Sequence, residues 1–295
     1  MIIPKESRAE GVYIGPRHPK GRRCQMGPGT VKEYYNDYGR REWDRLTASA
    51  YNQVEYAITM HYLEKYLPKE GLVLDAGGGP GRYAIELARR GYDVVLFDLS
   101  PVQLAIAKAE VAKLPSDVAK HIIAFVEGDI TDLGAFPTGN FDALVCLGGT
   151  LSHVIDSTAR ERATSEMARV CRDRASVFVS VFSFHGVLRK VLTEFPGDMR
   201  MLPEFMRSRL NPEGTGFTEC YFYTAEEAVE LLARKGIEIV EFAGVQGLSA
   251  QLKEATERCR QDPASWDIWK DVLVKTCNHP SIVGMSDQLL LVGFA

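Results

Sequence analysis

The chain has no C-x-x-C pair. Its six cysteines, Cys24, Cys146, Cys171, Cys220, Cys259 and Cys277, stand far apart. Structural zinc sites need ligands at short, paired spacings, so no metal site is expected. Scattered thiols suit a reducing compartment and predict a cytoplasmic protein. No stretch approaches the roughly 20 apolar residues of a membrane helix. Met1 to Gly11 lacks the apolar core of a secretory leader. There is no positive excess either. The formal net charge of −4 argues against broad nucleic-acid binding, which needs a basic surface. Residues 1–30 do carry Lys5, Arg8, Arg17, Lys20, Arg22 and Arg23, but among prolines and glycines, so they read as an extension. No internal repeat or low-complexity tract is present.

What is present is concentrated between residues 72 and 147. The run Leu72-Val73-Leu74-Asp75-Ala76-Gly77-Gly78-Gly79-Pro80-Gly81-Arg82-Tyr83 reads as a buried strand, an acid, a glycine turn and a helix start. Tyr83, Ala84, Leu87 and Ala88 then repeat at helical spacing. This is the first strand–turn–helix unit of a nucleotide-binding α/β domain. A dinucleotide turn needs Gly-x-Gly-x-x-Gly, and counting from Gly77 the third glycine is replaced by Arg82. Asp-x-Gly-x-Gly-x-Gly, with Asp75, Gly77, Gly79 and Gly81, fits better. An acid at this turn repels a pyrophosphate and suits a ligand bearing an ammonium group. That points to S-adenosylmethionine (SAM).

The sequence resembles the class I SAM-dependent methyltransferases. Asp75 to Gly81 is similar to that family's first motif. Val94 to Pro101 matches a second strand ending in an acid, Asp98, about 20 residues past the turn. Val126-Glu127-Gly128-Asp129-Ile130-Thr131-Asp132-Leu133 and Phe141-Asp142-Ala143-Leu144-Val145-Cys146-Leu147 match the third and fourth. The resemblance implies that Asp75 and the glycine turn hold the methionine portion, Asp98 and Leu99 the ribose, and Asp129 with Ile130 the adenine. It puts Leu147 beside the sulfonium. Gln103 stands where many relatives carry a methionine against adenine. It implies a small-molecule methyl acceptor. The chain lacks an Asn-Pro-Pro-Tyr-type motif after the fourth strand, where Leu147-Gly148-Gly149-Thr150 stands.

Alternating patterns predict a Rossmann-like, doubly wound, mostly parallel seven-stranded sheet. Its strands are Leu72–Asp75, Val94–Asp98, Ile122–Glu127, Phe141–Leu147, Ser176–Phe182, Ile237–Gly244 and Gln288–Phe294. Helices are expected over Val31–Leu46, Asn52–Leu67, Tyr83–Arg90, Val102–Lys113 and Thr158–Cys171. Thr224 and Glu227 form a capping box opening a helix over Ala225–Lys235. Residues 31–295 then form one domain with a core at about 68–182. Insertions at about 185–223 and 245–286 are expected to cap the acceptor. His153, after the fourth strand, and His185, after the fifth, are candidate catalytic bases. Tyr34, Tyr35 and Tyr38 stand with Arg41 on the first helix. Either this face packs on the core, or a tyrosine, with Tyr38 the choice, or Arg41 closes over the methionine end of SAM. Two other readings are a nicotinamide-dependent oxidoreductase and a non-catalytic SAM-binding regulator.

Overall fold

The uninterrupted apolar runs assemble into a seven-stranded sheet. The computed structural model describes residues 31–194, 196–211 and 218–295, so the extension predicted at residues 1–30 lies outside the described residues. The strands are β1 (Leu72–Ala76), β2 (Asp93–Asp98), β3 (Ile122–Glu127), β4 (Phe141–Cys146), β5 (Cys171–Phe182), β6 (Glu238–Gly244) and β7 (Gln288–Phe294). Their order is β3-β2-β1-β4-β5-β7-β6. Only β7 runs antiparallel, to both β5 and β6. The middle strands are covered on both faces, which is why β1 and β4 show no polar alternation.

The chain first builds outward through β1, β2 and β3, then returns to place β4 on the other side of β1. The strand order reverses there, and the crevice beyond the carboxyl ends of β1 and β4 is where such sheets bind ligands. The crossover helices include α4 (Arg82–Arg89), α5 (Pro101–Val111) and α7 (Ser157–Val170), separated by a short α6 (Ser116–Ala119). Each start has a local cause. The Ser100 hydroxyl accepts from Gln103 N at 3.1 Å, with Pro101 at the first helical position. Asp156 accepts from Ala159 N at 2.8 Å. In α10 (Ala225–Ala233) the predicted capping box forms, Thr224 and Glu227 bonding each other's backbone.

The expected first helix is two: α1 (Val31–Tyr38) and α2 (Arg41–Ala48). Gly39, at φ +53°, turns the chain between them. Ser49 then caps α3 (Ala50–Tyr66), accepting from Asn52 N at 3.2 Å. The expected insertions are also helical. The first holds α8 (Phe184–Glu194), a 3₁₀ segment (Pro196–Met201) and α9 (Leu202–Ser208). It has its own apolar cluster of Phe184, Val187, Phe205, Cys220 and Phe222. The second holds α11 (Lys253–Arg260), α12 (Pro263–Thr276) and α13 (Pro280–Val283), of which α11 and α12 pack against α3.

Candidate functional site

A cavity of about 390 Å³ opens at the carboxyl ends of β1, β2 and β4. The β1–α4 turn forms its floor. Gly77 N and Gly78 N both donate to Phe97 O, at 2.7 and 3.2 Å, which pins the turn across β2. Gly77 has φ +81°, and a Cβ there would stand 2.2 Å from Thr150 Cγ2. Gly79 lines the cavity with Pro80. Gly81 does not line it. The space where its Cβ would stand is bounded by Leu96 and Ala107, so this glycine lets α4 start close to β2 and α5.

Asp75 and Asp98 are the two acids at the ends of β1 and β2. Asp75 is 1% exposed, and its Oδ2 has no donor among the described residues. Burial, and then the nearby Asp98 charge, push its pKa up to about 7. Asp98 sits at the end of β2. Its Oδ2 accepts from Gly79 N and its Oδ1 from Ser100 N, both at 2.8 Å. Burial raises its pKa to about 6, with the Ser100 and Gly79 amides opposing. Each of its oxygens keeps a second lone pair for a ligand hydroxyl. The far end is lined by Asp129 and Ile130, and Leu99 borders the middle. Asp129 Oδ1 accepts from Thr131 N at 2.8 Å and fixes that loop. Leu147 lines the side nearest β4.

Gln103 lines the cavity but spends its amide elsewhere. Its Nε2 donates to Tyr35 O at 2.9 Å and Gly39 O at 3.1 Å, fastening α1 to α5. Its Oε1 is buried with no donor. An orphaned carboxylate oxygen, a second acid 20-odd residues on and a backbone cradle without Cβ atoms fit the amino-acid tail, ribose and base of SAM.

The N-terminal helices correct one residue choice. The Tyr38 ring stacks on Tyr34 at 5.7 Å and does not line the cavity; Tyr35, three residues earlier on the helix, does. Arg41 donates to Tyr38 O and Asp37 O and so closes α1 itself. Tyr35 Oη lies 3.1 Å from His153 Nε2, and His153 Nδ1 lies 3.0 Å from Glu219 O. A carbonyl only accepts, so Nδ1 carries the proton and Nε2 accepts from the tyrosine. Burial lowers the His153 pKa to about 4. His185 is exposed, lies edge-on to Phe184 and lines neither this cavity nor its neighbour. One step onto α8 turns it outward while Phe184 points in. Glu42 and Thr150 also line the cavity and were missed, because α2 and the loop after β4 carry no motif at those positions.

A second cavity, of about 370 Å³, adjoins the first and shares Tyr35, Glu42 and Gly148 with it. Its other walls come from α2, α3, both helical insertions and the start of β7. Among the described residues, no group of three or more His, Cys, Asp or Glu is placed to hold a metal, and no helix is long and apolar enough to cross a membrane.

The fold, with one acid before the glycine turn and another at the end of β2, is that of a nucleotide-binding α/β domain. A methyltransferase-domain family model matches residues 73–174. An uncharacterised methyltransferase of Schizosaccharomyces pombe is 37% identical over 38% of this chain and 71% of its own length. A glycine/sarcosine N-methyltransferase of Parasynechococcus marenigrum is 30% identical over 48% of each chain, so the match spans about half of that relative. In fold, the chain resembles a 1,6-didemethyltoxoflavin N1-methyltransferase of Burkholderia thailandensis solved with S-adenosylhomocysteine. That likeness has a TM-score of 0.52 and 15% identity, covering 90% of this chain and 86% of the other. The chain belongs to the class I SAM-dependent methyltransferases, and SAM is the cofactor that goes with that family.

Proposed function

We propose that the protein transfers the methyl group of SAM to a small molecule seated in the second cavity. The observation that carries this reading is the donorless, buried Oδ2 of Asp75 beside the glycine cradle, with a second cavity opening next to it. SAM, when bound, supplies a methyl group already made electrophilic by its sulfonium. The chain's own residues do the rest. The Asp75 carboxylate answers the ammonium of the amino-acid tail. The Asp98 oxygens accept from the ribose hydroxyls while the Gly79 and Ser100 amides hold that carboxylate still. Asp129 and Ile130 border the adenine.

Tyr35 and Gly148 line both cavities, so Tyr35 stands where acceptor and donor meet. His153 orients the Tyr35 hydroxyl by accepting from it. The Tyr35 hydroxyl, held by His153, stands where it can hydrogen-bond an acceptor at the junction of the two cavities. Holding the two reactants in line is the larger contribution, since positioning alone can supply several kcal/mol.

The test is transfer of isotopically labelled methyl from SAM into an extract fractionated into small molecules, protein and RNA. Label in the small-molecule fraction is expected. Label confined to protein or RNA would contradict the acceptor class.

A further inference from the structure

The second cavity has a charge pattern of its own. Three of its four carboxylates are matched by cations. Arg45 Nε and Nη2 donate to the two Glu42 oxygens at 2.8 and 2.6 Å. Lys190 Nζ lies 2.6 Å from Asp287 Oδ2, and Lys253 Nζ lies 3.0 Å from Glu194 Oε2. The fourth, Glu55, is 7% exposed and has no ion pair among the described residues. Its Oε2 receives one long bond, from Gln246 Nε2 at 3.4 Å. Gln246 is itself held, its Oε1 accepting from Gln288 N at 3.0 Å.

Arg45 and Arg82 both act on Glu55 through space without an ion pair to it, and the Nη1 of Arg82 is buried with no partner among the described residues. Arg45 belongs to Glu42. The Arg82 guanidinium lies over the Tyr56 ring, 4.4 Å from its centroid, and reaches Asn52 O at 3.5 Å. A buried carboxylate without a close cation is costly and is retained where something else answers its charge.

A second orphan faces the same space. Asp287 is 8% exposed, and its Oδ2 already takes Lys190 and the Tyr51 hydroxyl, the latter at 2.5 Å. Its Oδ1 has no donor among the described residues. Phe182 and Phe222, their rings 5.9 Å apart, line the same cavity. The cavity therefore offers hydrogen-bond acceptors, negative charge and an apolar aromatic face. Its three cations each already face a carboxylate and the acids outnumber them four to three, so the charge balance favours a cationic ligand over an anionic one. A neutral alcohol answers the hydrogen bonds but not the charge. Its volume lies at the small end of the roughly 300–1,000 Å³ typical of small-molecule sites.

We propose that the acceptor is a small amine that docks as its ammonium ion at Glu55 and Asp287 with its apolar body against Phe182 and Phe222, and gives one proton to one of these carboxylates before its nitrogen lone pair takes the methyl group and the sulfur leaves as S-adenosylhomocysteine. This rests on reading the second cavity as the acceptor site. Burial, reinforced by Glu42 and Asp287 and opposed by Arg45 and Arg82, raises the pKa of Glu55, so a bound cation also relieves a strained charge.

The test is calorimetry at neutral pH on protein saturated with S-adenosylhomocysteine. The probes are phenethylamine, 2-phenylethanol and 3-phenylpropanoate, which share an aromatic body and differ in head group. Phenethylamine is expected to bind at least about tenfold more tightly than the alcohol, and the carboxylate most weakly. Glu55→Gln is expected to weaken the amine by about tenfold or more, with S-adenosylhomocysteine affinity held within about twofold. Asp287→Asn should shift the amine in the same direction and serves if the first variant does not fold. Equal binding of amine and alcohol, preference for the carboxylate, no heat from the amine, or an amine affinity unmoved by both variants would overturn the proposal. The same titrations are run without nucleoside. Amine binding without any S-adenosylhomocysteine binding would strike the methyl-donor reading and leave the amine site standing.

Discussion

The two adjoining cavities are nearly equal in volume and opposite in construction. The cofactor cavity is made by short side chains and backbone at consecutive strand ends: Asp75, Gly77, Asp98, Asp129, Leu147. Its neighbour is made largely by polar and charged side chains borrowed from distant segments: Arg45, Glu55, Lys190, Gln246, Asp287. Strand ends in a parallel sheet are fixed relative to one another by ladder hydrogen bonds, so a ligand common to a whole family can be read there. Helices packed over the sheet edge vary freely, so an individual acceptor can be read there instead. The two regions should therefore fail separately when mutated.

The largest expected effect breaks the cofactor cavity alone. Asp98→Ala removes charge-assisted bonds to the ribose, and about 100-fold weaker SAM binding is expected by calorimetry. Phenethylamine affinity in the second cavity should change far less. Parallel losses in both ligands would erase the distinction between the cavities.

The next effect concerns pH. The Asp75 pKa is raised in the folded state, to about 7 against an ordinary 3.8. The folded chain thus keeps a proton that the unfolded chain gives up near pH 4, and stability falls as pH rises from about 4 to about 7. Asp75→Asn removes this titration. Relative to that variant, the ligand-free wild type should lose stability across this window, on the order of a few kcal/mol. Thermal melts of both proteins at several pH values measure it. SAM binding to the wild type should strengthen over the same range, since its ammonium needs the ionised carboxylate.

A smaller effect sits where the cavities meet. Tyr35→Phe deletes the hydroxyl that His153 accepts, and kcat is expected to fall about tenfold, with SAM affinity nearly unchanged. With its pKa lowered to about 4, His153 stays neutral above that pH, so the kcat profile between about pH 5.5 and 8.5 should show no inflection from it. The smallest effect is Gln103→Ala. It frees Tyr35 O and Gly39 O from α5, and a stability loss of about 1–2 kcal/mol is expected, with SAM affinity lowered only a few-fold.

The sheet was legible because buried parallel strands leave unbroken apolar runs. The predicted ranges of β3 and β7 match the structure residue for residue. The α1–α2 break was missed because the apolar spacing of Val31–Leu46 continues through Gly39, whose left-handed turn alone separates the helices. In the cofactor cavity, Asp75, Gly77, Gly79, Asp98, Leu99, Gln103, Asp129, Ile130 and Leu147 all line the space, since each follows from its distance to a strand end. Gly81 was included by spacing, yet its place is in packing. Two other expected residues do not line the space. One residue of helical rotation, about 100°, turns His185 outward while its neighbour Phe184 is buried, and Tyr38 stacks on Tyr34 while Tyr35, nearly a turn earlier, lines the cavity. Nothing in the linear chain joins Glu55 to Asp287, 232 positions on, so the second cavity left no signal.

The most direct measurement is a calorimetric titration of the wild type with SAM, S-adenosylhomocysteine and NADH. Micromolar binding of the first two, with no heat from NADH, is the predicted result. Binding of NADH instead, or of none of the three, would contradict the assignment of the glycine-turn cavity to SAM.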